Sequence, residues 1–366
     1  MAASEFRGDL RRIKAELLCY GARLGRGCER SAVQMYPSLF EEQYIHSAHL
    51  KIAGCMVVNV CFGEQFAKRS PYEIILDETE WFLKRKGQKC CQCSFLPEPG
   101  WYQKTIDETT NVRRVLRLHG TNTLADATFA KCEFVDKGKA CLFCSFPRDT
   151  VQEEWKISHL SRAVSVALSE NERYSIALSE GARASDEETT QYFGAALGEI
   201  RRVAPDVDVS IEMIAPRDLG VIDALIDGGA TSLIMNLEFH DEELRRIFCP
   251  GKGQVSRDTY VAAWAYGVKR LGKGKVSSVL IAGIEREDLT IEAALTMIDL
   301  GVIPTIIPFR PYDNSQLRNM RVTSPDVLLN IEEVVRFRLR EAGLDPRMQG
   351  ACTSCGACSL ETDYDY

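Results

Sequence analysis

Residues 131–146 read KCEFVDKGKACLFCSF and join an apolar, strand-like run to a long helical one. Cys132, Cys141 and Cys144 fall in this one connection, the last two enclosing Leu142 and Phe143. Strand, cysteine loop and helix make a β–α unit, and the text that follows repeats it. Strands are expected at 124–131, 173–178, 207–214, 231–238, 276–282 and 303–308, with helices near 153–169, 186–202, 217–228, 241–248, 256–271 and 291–300. VSSVLIAG and GVIPTIIP are nearly continuous apolar runs, as expected of strands covered on both faces. Six such units imply an α/β fold: a parallel, right-handed, partial (β/α)6 barrel, two units short of a closed one. Thr290 is read as the cap of the helix that stops before Gly301. Ser324-Pro325 opens a further helix through Arg340, ended by Gly343.

Residues 1–115 read as a small, separate α+β domain. Its first helix carries Leu10, Ile13 and Leu17 on one face and ends near the glycines at 21, 25 and 27. Strand-like runs follow at 49–62, 72–76 and 81–83, the last two joined by the acidic turn DETE into a hairpin. Residues 89–99, rich in cysteine and proline, read as a loop directed at the next domain. The barrel then takes residues 116–311, and residues 312–366 form a C-terminal helix with a cysteine-rich extension.

The chain has 366 residues, 45% apolar and 27% charged, with a net charge of −7, an ordinary composition for a globular protein with a large core. No basic block stands out as a phosphate footprint, so a nucleic-acid partner is not expected. Arg11-Arg12, Arg113-Arg114 and Arg245-Arg246 read as solvated helix faces. No stretch reaches the ~18 apolar residues of a membrane span, and the N-terminus lacks the apolar centre of a signal peptide. Fourteen cysteines, clustered in a chain of this length, point to metal binding in the cytoplasm rather than to disulfides.

Three thiolates from one loop would leave one iron of a [4Fe–4S] cube without a protein ligand, and such an iron is open to a small molecule. Two other readings compete: half of a structural zinc site with Cys352 and Cys355, or a redox pair. The loop's position after the first barrel strand favours the cluster, because such folds gather ligands at the C-terminal ends of strands. The tail, GACTSCGACSLE, spaces Cys352, Cys355 and Cys358 as in ferredoxin-type runs, so a second [4Fe–4S] cluster is expected there, against zinc or an unmetallated tail. The fourth ligand of that cluster is open among Cys249, Cys90, Cys91, Cys93, a non-cysteine side chain and the substrate; Cys90, Cys91 and Cys93 otherwise bind a thiophilic species or are simply loop. Cys19, Cys28, Cys55 and Cys61 read as small buried hydrophobes. Arg310 and Tyr312 follow the sixth strand, where the arginine is either a substrate-carboxylate partner or a structural ion pair. Lys252 could approach an anion from a turn, and His240 reads as a helix-start residue rather than a metal ligand.

Over roughly residues 115–310 the loop, its preceding strand and the β–α series resemble the radical S-adenosylmethionine (radical SAM) superfamily. The resemblance implies that Cys132, Cys141 and Cys144 hold the cluster and that its open iron chelates S-adenosyl-L-methionine, with Phe143 near the adenine. One departure is plain: the family spacing is C-x3-C-x2-C, and here eight residues separate Cys132 from Cys141. A longer loop can still fold back, because loop length costs little entropy. Ser179, Glu180 and Gly181 resemble the family's motif for the methionine amino group, Glu212 could reach the ribose or the sulfonium end, Asn236 and Glu238 resemble its ribose contacts, and Gly283 its backbone contact with adenine. More narrowly, the LHGTNTLA lead-in, the long cysteine gap, NLEFHDEELRRIFCPGK and the cysteine-rich tail resemble the biotin-synthase-like branch, especially radical SAM proteins found beside nitrilase genes. The implied activity is reductive cleavage to a 5′-deoxyadenosyl radical that abstracts hydrogen from a C–H group. It would draw on an electron donor such as ferredoxin or flavodoxin, and on a substrate that is a small molecule or is carried on a protein. Sulfur insertion from an auxiliary cluster, as in lipoyl synthases, is the leading fate of the radical. Carbon-skeleton rearrangement, methylation and aminocarboxypropyl transfer are the alternatives, and a zinc-stapled binding protein is the reading from another class.

Overall fold

A computed structural model describes residues 2–37, 47–126, 132–145, 157–179 and 181–362; the side chains of residues 2–9, 35, 351 and 352 fall outside that description. The elements run α1 (Ala2–Tyr20), β1 (Arg23–Leu24), α2 (Glu29–Met35), β2 (Ser47–Ile52), β3 (Met56–Cys61), β4 (Tyr72–Asp77), β5 (Glu80–Arg85) and β6 (Gln88–Phe95). Then come β7 (Leu116–His119), β8 (Thr123–Asp126), α3 (Glu133–Asp136), α4 (Ile157–Leu168), β9 (Ser175–Ser179), α5 (Asp186–Val203), β10 (Val209–Met213), α6 (Gly220–Asp227) and β11 (Ser232–Met235). The chain continues through α7 (Glu242–Phe248), α8 (Arg257–Leu271), β12 (Val276–Ala282), α9 (Glu287–Asp299), β13 (Ile303–Pro308), α10 (Pro325–Glu341) and α11 (Ala351–Cys355).

The first sheet has the order β1-β4-β5-β6-β2-β3. Two sequence expectations change here. The run at 49–62 is a hairpin rather than one strand, because Ala53 (φ 50°) and Gly54 (φ 72°) turn the chain and pair Ile52 with Met56. Residues 89–99 are largely strand rather than loop. Lys86 and Gly87, both at positive φ, make the two-residue turn whose twist suits a hairpin, and β6 then pairs with β5 on one side and β2 on the other.

The second sheet has the order β13-β12-β11-β10-β9-β8-β7. From β8 to β13 all pairings are parallel and in chain order, each strand returning through helix. β7 is an addition that the sequence did not announce: it forms an antiparallel hairpin with β8 about Gly120 (φ 59°). Helix starts are secured by side-chain acceptors, with Ser185 taking Glu188 N–H, Ser256 taking Thr259 N–H, and Ser324 taking Asp326 N–H as expected. Thr290 is not a cap. It lies inside α9, buried, and donates to Glu285 Oε1 at 3.0 Å, because the helix already begins at Glu287.

One core of buried side chains runs between the two sheets and under the helices, including Leu17, Leu50, Ile74, Leu124, Ile211, Trp264 and Ile306. At the N-terminal ends of the parallel strands the buried residues are instead small hydroxyls: Thr123 beside Ser175, and Ser210 bonded to Ser232. The tail closes this end. Thr353 Oγ1 reaches Ser277 Oγ at 3.4 Å, α11 packs on β8 and β9, and Glu361 accepts the Ile306 N–H of the edge strand β13. Among the described residues no helix is long and apolar enough to cross a membrane.

Gly283 follows β12 at φ +95°, and a Cβ there would stand 2.4 Å from Thr323 Oγ1. Gly283→Ala should therefore lower stability by about 2 kcal/mol or more. Gly54→Ala, also at positive φ but with open space around it, should cost about 1 kcal/mol. Paired thermal melts check the difference; equal losses would show that the Thr323 contact does not matter.

Candidate active site at the cysteine loop

Parallel strands in chain order put every strand-to-helix turn on one rim, and the cysteine loop leaves β8 on that rim. Cys132 sits directly against the turn after β9. A Cβ on Gly181 would lie 2.5 Å from Cys132 Cβ and 2.7 Å from its Cα, so only glycine permits the approach. Glu133 N–H bonds Ala182 O at 2.8 Å and fixes the same contact. Cys144 N–H bonds Cys141 O at 3.2 Å, which closes a turn, while Leu142 exchanges backbone bonds with Phe248 and Gln316 at 2.8 and 3.0 Å. Phe143 meets Phe239 edge-on at 5.9 Å and 79°, within a small apolar cluster with Cys249, Ile281 and Phe309. All three loop cysteines are half-buried.

Two groups that sequence reasoning left at the margin stand beside this loop. The Cys249 thiol donates to Cys141 and pulls Cys141 below the ordinary thiol range; burial pushes the other way, and Lys252 adds to the lowering. Cys249 is itself pushed up, first by that bond and then by burial. Burial works against the Lys252 ammonium, but Glu238, at 2.6 Å, together with Cys141 and Tyr260 nearby, holds its pKa well above the ordinary lysine value. Cys249 and Lys252 both lie in the CPGK turn after α7.

The expected cofactor contacts separate into groups. Ser179 and Glu212 are register partners on β9 and β10, and Asn236 Nδ2 donates to Glu212 Oε1 at 2.6 Å. Asn236 Oδ1 accepts Val279 N–H at 3.0 Å, so both ends of that amide are engaged. Glu238 is tied to Lys252 and stands at φ 71°, a left-handed backbone that non-glycine residues seldom adopt. Gly283 lies past β12 on the same rim, and Glu180 lies outside the described residues. His240 Nε2 faces Arg257 at 2.8 Å and Glu292 at 3.4 Å.

Elsewhere, Cys90, Cys91 and Cys93 lie on β6 in the first sheet, Cys93 buried opposite Trp81 and Ile52. Cys355 and Cys358 lie in the tail, with Cys358 pushed up to about 11 by burial and then by Cys355; the Cys352 side chain is outside the described residues. Arg310 is buried and turned towards the first sheet rather than offered at the rim, its Nε donating to Leu18 O at 2.7 Å. Among the described residues no three His, Cys, Asp or Glu side chains are gathered closely enough to hold a metal ion.

No protein-family model matches the chain, and no curated protein does. Among solved structures it is similar to the crystal structure of HydG, a maturase of the [FeFe]-hydrogenase, at 14% identity and a TM-score of 0.44. The match takes in 55% of this chain and 46% of that one. A likeness of that size carries no argument about activity, which rests on the residues above.

In metal-free protein, Cys141 should alkylate with a midpoint below that of an ordinary thiol. Cys249→Ala should move that midpoint up. Mass spectrometry of the labelled peptide across pH reads both, and an unshifted midpoint would remove Cys249 from the account.

Proposed function

We propose that this chain is a radical S-adenosylmethionine enzyme whose first iron–sulfur cluster is held by Cys132, Cys141 and Cys144. The observation that carries the reading is the seating of the loop. Cys132 lies against Gly181, and Cys141 and Phe143 lie in the apolar cluster beside Glu238 and Lys252, on the rim where Ser179, Glu212 and Asn236 also sit.

The residues fit such a cluster in their chemistry. The loop offers thiols from one connection, Cys141 is held towards the thiolate that metal ligation needs, and Gly181 clears the space beside Cys132. Held by Cys132, Cys141 and Cys144, a cluster with one open iron would supply one-electron reductive cleavage of S-adenosylmethionine, with the electron drawn from an external donor. The chain's own side chains bind and shield. Phe143, Phe239 and Phe309 keep water from the reacting centre. Asn236 is a positioning residue that fixes Glu212, whose second carboxylate oxygen would be left to accept from a ribose hydroxyl of the cofactor. Glu238 keeps Lys252 charged next to the loop.

The division at residues 115 and 311, an external electron donor such as ferredoxin or flavodoxin, and a substrate free or borne on a carrier protein belong to the same reading. So does a second cluster on Cys352, Cys355 and Cys358, with sulfur insertion as the fate we favour for the substrate radical. Cluster-derived sulfur found in the product would separate insertion from rearrangement, methylation and aminocarboxypropyl transfer.

Anaerobic incubation of reconstituted protein with dithionite and S-adenosylmethionine should yield 5′-deoxyadenosine and methionine. Cys141→Ala and Cys144→Ala should each reduce that yield at least ~100-fold, the scale at which loss of a reacting centre is read in rate. Methylthioadenosine in its place would mean that a different carbon–sulfur bond breaks. Undiminished turnover in the cysteine variants, or colourless protein with stoichiometric zinc, would overturn the proposal.

A further inference from the structure

A break in strand pairing brings two neighbouring thiols to one face. Along a regular strand adjacent side chains point to opposite faces, which would part Cys90 from Cys91. In β6, however, Leu83 pairs with Cys91 and Lys84 with Lys89, so Cys90 is the extra residue of a β-bulge. Arg85 is the partner of both Tyr72 and Gln88, and these three share the inner face of the first sheet. Cys90 lies two residues beyond Gln88, and Cys91 is paired with Leu83, two residues before Arg85. Both thiols therefore belong to that inner face. Lys89 belongs to the outer one, its Nζ 4.2 Å from the centre of the Phe82 ring. Cys93 is set apart, buried opposite Trp81 and Ile52.

The two thiols line one cavity of about 320 Å³ between α1 and the sheet, with Arg12, Glu16, Tyr72 and Arg85 on its polar side. Both cysteines are half-buried, and Arg12 and Arg85 are partly exposed, so the cavity opens to solvent. Arg85 reaches Glu16 through Nε at 2.9 Å and Nη2 at 3.1 Å, and Tyr72 Oη donates to the same carboxylate at 2.7 Å. Burial pushes Cys90 up, and pushes Cys91 up to about 11 with Cys90 adding to it. Thiols kept protonated are poor ligands for a metal cation, which needs the thiolate. Nor does a disulfide suit the pair. Neighbouring Cα atoms are ~3.8 Å apart, below the ~4.4 Å at the short end of the disulfide range. Two protonated thiols side by side suit an atom that bridges them without taking up charge.

We propose that Cys90 and Cys91 form a dithiol site for a neutral trivalent arsenic hydroxide, either arsenous acid or an organic derivative that keeps two hydroxyls. Two S–H and two As–OH bonds break, two As–S bonds form, and two waters leave. No electron is transferred and no charge is buried, so burial does not oppose the step. Two sulfurs suffice for it. The polar side of the cavity, where Arg85 and Tyr72 hold Glu16, offers an acceptor to the hydroxyl that arsenous acid keeps on its third bond. Of the roles the sequence left open for these two cysteines, the bulge favours the thiophilic ligand. The site is independent of the iron–sulfur reading and stands or falls without it.

The test titrates the reduced full-length chain with arsenous acid, then alkylates it and reads each cysteine by peptide mass spectrometry. Cys90 and Cys91 should be protected together, along one curve. Cys90→Ser or Cys91→Ser should raise the half-protecting concentration for the remaining thiol at least ~100-fold, because a second bond within one molecule is what gives the pair its affinity. Lys89→Cys added to the Cys90→Ser chain puts the second thiol on the outer face and should not restore protection. Cys90 and Cys91 that alkylate as freely with arsenous acid as without it would overturn the proposal in the native sequence, with no variant needed. So would a serine variant with an unchanged titration, restoration by Lys89→Cys, or protection of Cys91 together with Cys55 in place of Cys90.

Discussion

Parallel pairing in chain order is the constraint on which the rest of this structure depends. A strand that pairs parallel with the next must send its chain back along a helix, so all of its exits lie at one end. From β8 to β13 this happens at every step, and it collects Cys132, Ser179, Glu212, Asn236 and Gly283 on a single rim although they span some 150 positions. The convergence of these side chains comes from pooling exits rather than from any one motif.

Within that rim, two close approaches fix the detail. Gly181 lets Cys132 lie against the next strand's turn, and the part-buried pair of Lys252 with Glu238 stands beside Cys141. A buried ion pair gains little stability over an apolar one, because both charges must first leave water. Its presence next to a thiol held low, with Glu238 in a left-handed backbone, marks the region as built for charge rather than for stability alone.

The order of strands and helices was legible because hydrophobic period and cap residues act locally. The β10 to β13 series lies within a few residues of its sequence reading, as does α8, whose Ser256 acceptor was written in the text. Misreadings arose where a turn depended on one backbone angle. Ala53 at φ 50° and Lys86 at φ 48° are not turn-forming residue types, so one hairpin was read as a strand and one strand as a loop. Thr290 failed as a cap because Glu285, five residues earlier, already claims its hydroxyl.

What the sequence alone determined is the donor chemistry and the alternation: thiols in two spaced groups, and strands that must be covered on both faces. Which thiol faces which partner was decided only by tertiary structure. Cys249 against Cys141, and Arg310 against Cys61, are separated by 108 and 249 positions respectively. No local propensity reports on a contact at that separation. The approach is fixed by how helices and sheets settle against one another, and burial then decides which charges must find an opposite.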